Sequence, residues 1–132
     1  MSLEIQSLDH LVLTVRDLQE TIAFYTDVLG LVAQQFTPSD GTERTALCFG
    51  RQKINLHQAG AEFDPKADSP CPGSADLCFL TQVPVEKVIA HLSATNTKII
   101  DGPVARTGAT GPLVSVYLRD PDGNLIEVSN KV

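Results

Sequence analysis

The sequence predicts an α+β domain in which one order of elements, a strand, a helix and three further strands, occurs twice. The first observation is that the strand pattern "LDHLVLTV" (8–15) and the helix pattern "DLQETIAFYTDVLG" (17–30) are matched later by "ADLCFLT" (75–81) and "PVEKVIAHLSA" (84–94). The second observation is that short strand patterns separated by turn residues follow each helix. A shared order of elements in two halves is what an internal duplication leaves behind.

Local signals predict the elements of the first half. Asp17 and Glu20 form a capping-box-like start for the helix, and Gly30 supplies its C-terminal stop. Short strands separated by the turn sequences "PSDG" and "GRQ" are then expected. These strands lie at about 32–37, 45–49 and 53–58.

The second half follows a connection at 58–74 that is rich in proline, glycine, aspartate and alanine. After the repeated strand and helix, three strands are expected near 97–100, 114–119 and 124–129. At 132 residues the chain fits one domain. We expect a single domain over 1–132, with module one at about 5–60 and module two at about 75–130.

Composition and charge narrow the classes of partner and compartment. A formal net charge of −6 argues against nucleic acids and anionic membranes as partners, because both attract basic surfaces. No apolar run is long enough to span a membrane, and the N-terminus lacks a secretory signal. The three cysteines are too few and too scattered for a disulfide framework or a thiolate zinc site. A reduced, cytoplasmic setting is therefore expected.

Alternation along the strands collects polar side chains on one face of the predicted sheets, because successive strand residues face opposite sides. The apolar face, which suits coverage by the helices, carries Leu11, Leu13, Ile54, Leu56, Leu77, Phe79, Ile126 and Val128. The opposite face carries His10, Val12, Asn55, His57, Asp76, Cys78, Leu125 and Glu127. An open, solvated sheet face would also be polar.

Four of these polar side chains form two pairs that the repeat relates, His10 with Asp76 and His57 with Glu127. Two imidazoles and two carboxylates are a suitable set of ligands for a divalent metal. If the halves pack about a pseudo-two-fold axis, the four positions converge near it. The sequence therefore predicts one divalent metal ion, either Ni, Co, Mn, Zn or Fe.

Two long motifs frame the chain, "LDHLVLTVRDLQETIAFYTDVLGL" at the start and "VYLRDPDGNLIEVSN" at the end. Together they resemble the vicinal-oxygen-chelate superfamily, which includes glyoxalase I, extradiol dioxygenases, and fosfomycin-resistance and bleomycin-resistance proteins. The segments "PGSADLCFL" and "PVARTGATGP" are most similar to the subgroup called glyoxalase domain-containing protein five. The resemblance implies two βαβββ modules that form an incomplete barrel around one metal.

The resemblance also implies roles for the four residues. His10 and Glu127 match the first and last ligand positions of the family, whereas His57 falls where glyoxalase I generally has Glu. Asp76 falls where His is common, and it is either a ligand or a base. The set of His10, His57 and Glu127 would also fit the two-histidine, one-carboxylate site of an Fe(II) oxygenase.

The predicted function is that of a metal-dependent glyoxalase-like lyase or isomerase, similar to lactoylglutathione lyase. It would act on a small oxygenated metabolite or its thiol conjugate through a metal-stabilised enediolate, with Glu127 or Asp76 as the catalytic base. One alternative is an extradiol-type dioxygenase. Another is a resistance protein that sequesters its ligand without catalysis.

Four further side chains are candidates for substrate contact. Phe49 and Tyr117 are expected on the polar face. Arg119 either holds a substrate anion or forms a surface ion pair. Arg106 lies on a predicted glycine-rich loop that either closes over the cup or is an ordinary hairpin loop.

A homodimer is also expected, because exposed sheet edges favour coverage by a partner. The connection at 58–74 is long enough to permit an exchanged arrangement. The site would then form either within one chain or between two chains.

Overall fold

A computed structural model describes residues 1–132 as two four-stranded sheets, each accompanied by one helix. The first half consists of β1 His10–Val15, α1 Leu18–Asp27, β2 Val32–Phe36, β3 Arg44–Phe49 and β4 Gln52–Gln58. The second half consists of β5 Asp76–Leu80, α2 Val85–Ala94, β6 Asp101–Gly108, β7 Gly111–Arg119 and β8 Leu125–Lys131. The predicted α+β class with two βαβββ repeats is confirmed.

Both sheets have the same topology, β1-β4-β3-β2 in the first half and β5-β8-β7-β6 in the second. In each sheet the first strand runs parallel to the last strand, and the remaining neighbours pair antiparallel. A parallel pair requires a long crossover, which the helix and the two intervening strands supply. Equivalent strands therefore occupy equivalent places in the two sheets.

The helix boundaries follow from hydrogen bonds at their ends. The Asp17 carboxylate accepts a hydrogen bond of 3.0 Å from the backbone N–H of Glu20, so the predicted cap of α1 is present. Gly30 adopts a φ of +73° just beyond α1, a conformation that favours glycine. At α2 the side chain of Asn130 in β8 accepts 2.8 Å from the N–H of Val85. Neither helix is long and apolar enough to cross a membrane.

The apolar faces of both sheets contribute to one core. Ile54 and Ile126 are fully buried, and Leu56 is 2 % exposed. Val12, on the opposite face of β1, is 44 % exposed. Burial therefore agrees with the alternation read from the sequence, and each large aliphatic side chain contributes about 1.5–3 kcal/mol when fully buried.

Polar contacts join the two halves, one of them buried. The Tyr25 hydroxyl in α1 donates a hydrogen bond of 2.7 Å to Asp120, which follows β7. Burial, with the Asp120 carboxylate, raises the pKa of Tyr25 well above its ordinary value. The imidazole of His91 in α2 lies 2.8 Å from the carbonyl oxygen of Val28 at the end of α1. The two modules are thus tied together at both helices.

The strand expected near 97–100 instead spans Asp101–Gly108, so Arg106 lies on a strand and not on a loop. The sequence signal was obscured by Gly102 and Pro103, which normally mark a turn. Here the pairing of β6 with β7 shifts between Asp101 and Val104, and β6 is an edge strand. Proline is tolerated at a bulge on an edge strand because its missing N–H costs no ladder bond there.

Candidate metal and substrate site

The polar face of the second sheet forms the floor of an open cavity of about 620 Å³. Glu127 lies on this floor between Cys78 and Tyr117, its neighbours on the adjacent strands, and all three line the cavity. Arg106 and Lys131 contribute two positive charges to the same lining. The cavity therefore combines a carboxylate, a phenol and two cations.

One buried serine, Ser115, holds one oxygen of Glu127, and a second buried serine lies beside it. The hydroxyl of Ser115 donates a hydrogen bond of 2.5 Å to Oε2, and Ser129 lies 3.4 Å from the same oxygen. Ser115 is fully buried and Ser129 is 1 % exposed. No hydrogen bond from the protein reaches Oε1 of Glu127, which leaves that oxygen available to a metal or a substrate proton.

Asp76 is exposed at the start of β5, on the same face as Glu127. Asp76 in β5 lies opposite Leu125 in β8, two residues before Glu127. The two carboxylates therefore lie on neighbouring strands and on the same face of the sheet. Burial raises the pKa of the Cys78 thiol, and the carboxylates of Glu127 and Asp76 raise it further. Both carboxylates therefore act on the same small region of the sheet.

His10 stands at the start of β1 with its side chain 43 % exposed. Its Nδ1 lies 2.8 Å from a carboxylate oxygen of Asp9, which leaves Nε2 free. Metal-binding histidines commonly have one ring nitrogen on a carboxylate in this way, because the contact fixes the ring orientation. His10 is therefore suited to binding a metal through Nε2.

His57 does not join His10 in one metal site, which corrects the predicted pairing. His57 lies opposite Thr14 while His10 lies opposite Lys53, so roughly 13 Å of strand separates the histidines. His57 is 6 % exposed and its ring packs edge-on against Phe63, with 5.4 Å between ring centroids. Burial, and next the Arg44 guanidinium, lower the pKa of His57.

The register instead identifies Asn55, which sequence reasoning placed on the polar face but did not assign to the site. Val12 in β1 lies opposite Asn55, just as Cys78 in β5 lies opposite Glu127. Asn55 is therefore the structural counterpart of Glu127 in the first sheet. Its side-chain oxygen Oδ1 is buried and has no hydrogen-bond donor, which is unusual for a buried polar atom.

A sequence signal for Asn55 was present in the alignment of the two halves. Matching the buried Ile54 with the buried Ile126 sets Asn55 against Glu127, whereas the alignment that pairs His57 with Glu127 sets polar Asn55 against apolar Leu125. Burial of the flanking residues distinguishes the two alignments.

Two of the predicted substrate contacts lie in the cavity. Arg106 donates from Nε to the Tyr117 hydroxyl at 2.9 Å, and its guanidinium lies 5.4 Å from the centroid of the Tyr117 ring. Its Nη2 is 3.6 Å from the partly exposed Asp101. Arg119 is exposed at the end of β7 and donates to the carbonyl of Gly123 at 3.3 Å.

Phe49 does not share the face of Tyr117, which corrects the prediction for that residue. In β3 it stands on the apolar side with the buried Leu47, and its ring packs edge-on against Phe79 with 5.2 Å between centroids. A one-residue difference in strand register moves every side chain to the other face. Phe49 is a packing residue between the two sheets.

Within one chain the four predicted residues do not assemble. No three histidine, cysteine, aspartate or glutamate side chains lie close enough together to hold a metal ion. His57 lines a separate cavity of about 280 Å³ under the connecting segment, whereas Glu127 lines the open cavity of the second sheet. His10 and Cys78 line one small cavity of about 150 Å³ between the sheets. The ligand types suit a divalent metal, but one chain leaves the set incomplete.

The sequence is similar to one protein superfamily and to individual proteins over nearly its whole length. A family profile described as the Glyoxalase/Bleomycin resistance protein/Dioxygenase superfamily matches residues 7–128. The chain is 55% identical over 128 residues to the Virulence protein STM3117 of Salmonella typhimurium, covering 97% of this chain and 86% of that protein. It is 52% identical over 128 residues to the Glyoxalase domain-containing protein RDO1 of Mycosarcoma maydis, covering 97% and 70%.

Solved structures show the same fold. An integron cassette protein from the mobile metagenome of V. cholerae is 52% identical, covers 100% of both chains and superposes with a TM-score of 0.94. A lactoylglutathione lyase from Agrobacterium tumefaciens is 25% identical, with coverage of 96% and 94% and a TM-score of 0.71. TnmS3, an antibiotic binding protein from a Streptomyces species, is 20% identical, with coverage of 99% and 100% and a TM-score of 0.75, a likeness of fold alone.

Proposed function

The chain belongs to the Glyoxalase/Bleomycin resistance protein/Dioxygenase superfamily, and on that basis we propose that it is a metal-dependent lyase or isomerase of the glyoxalase type. Its substrate is a small oxygenated metabolite or the thiol conjugate of one. The observation that carries the proposal is Glu127, whose Oε2 is held by Ser115 while Oε1 is free on the floor of an open cavity. A positioned carboxylate of this kind removes and returns a proton next to a carbonyl group.

One divalent ion, either Ni, Co, Mn, Zn or Fe, is part of the proposal. The residues that would hold it are His10, Asn55, Asp76 and Glu127. The contact of His10 with Asp9 and the buried, unpaired Oδ1 of Asn55 both support this set. When bound, such an ion supplies Lewis acidity that polarises a substrate carbonyl.

The proposal includes a homodimer in which two chains complete each site. His10 and Asn55 belong to one sheet and Asp76 and Glu127 to the other, and one chain does not gather three metal-capable side chains. Apolar side chains on both polar faces are exposed, Val12 to 44 % and Leu80 to 56 %. A second copy that joins the first sheet of one chain to the second sheet of its partner would cover these side chains.

The remaining cavity residues select the substrate in this proposal. Tyr117 and Arg106 form a hydrogen-bonded pair beside Glu127, and Lys131 has no salt-bridge partner. Their charge suits a substrate that carries a carboxylate or phosphate. Arg119 does not line this cavity and donates to the carbonyl of Gly123 at the exposed end of β7, so it is not part of the proposed anion contact.

The alternatives differ in support. The extradiol-type dioxygenase is less well supported, because its two-histidine, one-carboxylate site requires His10 and His57 together and the strand register separates them. Ligand sequestration keeps one supporting observation, the open cavity of about 620 Å³ on a chain with no complete metal set. The three cysteines are free thiols, which agrees with a cytoplasmic setting as part of the proposal.

Hydrogen exchange in D₂O tests the function. Purified protein is analysed for metal, stripped, reloaded with each candidate ion, and supplied with a 2-oxoaldehyde hemithioacetal while O₂ is recorded. We expect metal-dependent exchange of the hydrogen next to the carbonyl, no O₂ uptake, and loss of exchange in Glu127→Gln. The matched control is Glu86→Gln, an exposed carboxylate on α2. Exchange that persists in Glu127→Gln, or tight binding of unaltered ligand by stripped protein, would contradict the proposal.

A further inference from the structure

A line of hydrogen-bonding groups runs from the thiol of Cys78 to the carboxylate of Glu127. The Cys78 sulfur lies 3.3 Å from the Ser129 hydroxyl, and that hydroxyl lies 2.6 Å from the hydroxyl of Ser115. Ser115 in turn lies 2.5 Å from Oε2 of Glu127. Both serines are buried, so water does not compete for the contact between their hydroxyls.

The number of hydrogens available on these groups determines which of them donates in each hydrogen bond. An ionised carboxylate only accepts, so the single hydrogen of Ser115 is donated to Glu127. The Ser115 oxygen is then free to accept from Ser129, whose hydroxyl lies 2.6 Å away and 3.4 Å from Oε2. The shorter contact takes the hydrogen of Ser129, whose oxygen lies 3.3 Å from the Cys78 sulfur. All the donation therefore arrives at one oxygen of Glu127.

We propose that Ser115 is a positioning residue that occupies Oε2 of Glu127 and leaves Oε1 as its only reactive oxygen. A hydroxyl donating to a carboxylate makes a short, strong hydrogen bond, and here both partners are fixed on neighbouring strands. The significance for chemistry depends on the proposed function, whereas the orientation of the carboxylate does not.

The backbone around Ser115 is held as well. Gly102 in β6 adopts a φ of +99°, and a Cβ at that position would collide with the carbonyl oxygen of Ser115. The absence of a side chain lets β6 approach Ser115 closely, which fixes the strand that carries the donor. Ser115 is thus constrained on both its backbone and its hydroxyl side.

A carboxylate with one oxygen occupied acts differently from a free one. With Oε2 hydrogen-bonded to Ser115, Glu127 would bind a metal through Oε1 alone, or take a proton on Oε1 alone. Removing the donor frees the second oxygen and lets the carboxylate rotate. Partners of this kind beyond the metal ligands typically change metal affinity by about 10–100-fold.

Infrared spectroscopy of the metal-free protein tests the positioning directly. The carboxylate band of Glu127 is identified by difference between ¹³C-labelled wild type and Glu127→Gln, and then compared in Ser115→Ala. We expect a shifted band in Ser115→Ala and an unshifted band in the matched variant Ser129→Ala, which keeps the hydrogen that Ser115 donates. An unshifted band in folded Ser115→Ala would overturn the inference. Should that variant not fold, Ser115→Cys, of nearly the same size but with a weak donor, decides on the same criterion.

Metal titration separates this inference from the proposed function. In wild type and Ser115→Ala we expect the same metal stoichiometry, with affinity about 10–100-fold lower in the variant. The separation of the two carboxylate stretches should narrow in metal-loaded Ser115→Ala, because both oxygens become available. Absence of metal from wild type would defeat the proposed function, while the metal-free infrared result would still decide the role of Ser115. If wild type and Ser115→Ala have the same metal affinity and the same separation of the two carboxylate stretches, the inference is overturned.

Discussion

Asn55 and Glu127 occupy equivalent positions in the two sheets of the molecule. Asn55 in β4 lies opposite the third residue of β1, and Glu127 in β8 lies opposite the third residue of β5. One carries a buried acceptor without a donor, and the other carries a carboxylate with one free oxygen. In the proposed site, Asn55 therefore takes in the first sheet the position that Glu127 takes in the second.

Replacement of Asn55 should separate stability from binding. An unsatisfied buried acceptor destabilises the fold by about 1–3 kcal/mol, so Asn55→Ala should not lower, and is expected to raise, the free energy of unfolding of the metal-free protein. The same variant should bind metal more weakly. Denaturant unfolding and calorimetric titration measure the two effects, and a destabilised variant with unchanged metal affinity would show that Asn55 is only structural.

His57 should affect the pH dependence of stability and not metal binding. Burial lowers its pKa in the folded protein, so the unfolded chain takes up the proton first as the pH falls. The stabilisation from neutral His57 is complete above the unfolded pKa of about 6.5 and is lost as the pH falls toward the folded pKa. Unfolding of wild type and His57→Gln at a series of pH values should show a shallower acid decline in the variant.

Metal content supplies the control for that prediction. His10→Ala should lose stoichiometric metal with a near-native circular dichroism spectrum, whereas His57→Gln should retain it. The reverse pattern would restore His57 to the site and contradict the register argument.

Tyr25→Phe should destabilise the fold and leave metal binding at the proposed site unchanged. Its hydroxyl is buried and donates 2.7 Å to Asp120, so removal leaves a buried carboxylate with one fewer donor. We expect a loss of about 1–3 kcal/mol in the free energy of unfolding, measured by denaturant titration. Tyr117→Phe, at a partly exposed position, should change stability little, and loss of metal from Tyr25→Phe would show unexpected coupling to the site.

Asp76→Asn distinguishes a ligand from a base with little change in size. If Asp76 holds metal, affinity and turnover should fall together; if it moves a proton, metal should stay bound while turnover falls by about 10²–10⁴. The exposed position of Asp76 next to Glu127 favours the ligand outcome. Asp68→Asn, on the connecting segment, is the matched control, and wild-type metal binding and turnover in Asp76→Asn would remove this residue from the site.

Most elements of the fold could be predicted because their signals are local, although β6 was expected near 97–100 and spans Asp101–Gly108. Capping at Asp17, alternation around Ile54 and Ile126, and the repeated order of elements all depend on near neighbours, and the structure confirms each. The cap that Asn130 provides for α2 was not predicted, since it joins residues far apart in the chain.

Strand register limited the prediction of the site. Alternation assigns a side chain to a face but does not say which residue of a distant strand lies opposite, so His57 was chosen where Asn55 is the counterpart of Glu127. Phe49 was assigned to the wrong face for a related reason, a shift of one residue in β3. Arg106 was assigned to a loop because Pro103 hid the edge strand that carries it.

Mixing two inactive variants tests the central claim most directly. His10→Ala and Glu127→Ala are each expected to lack metal, and they are unfolded together in equal amounts and refolded. If each site draws on two chains, mixed dimers contain one intact site, and the mixture should recover about a quarter of the wild-type metal and of the wild-type D₂O exchange. Recovery of neither, with mixed dimers demonstrated by mass, would contradict a site shared between two copies of this chain.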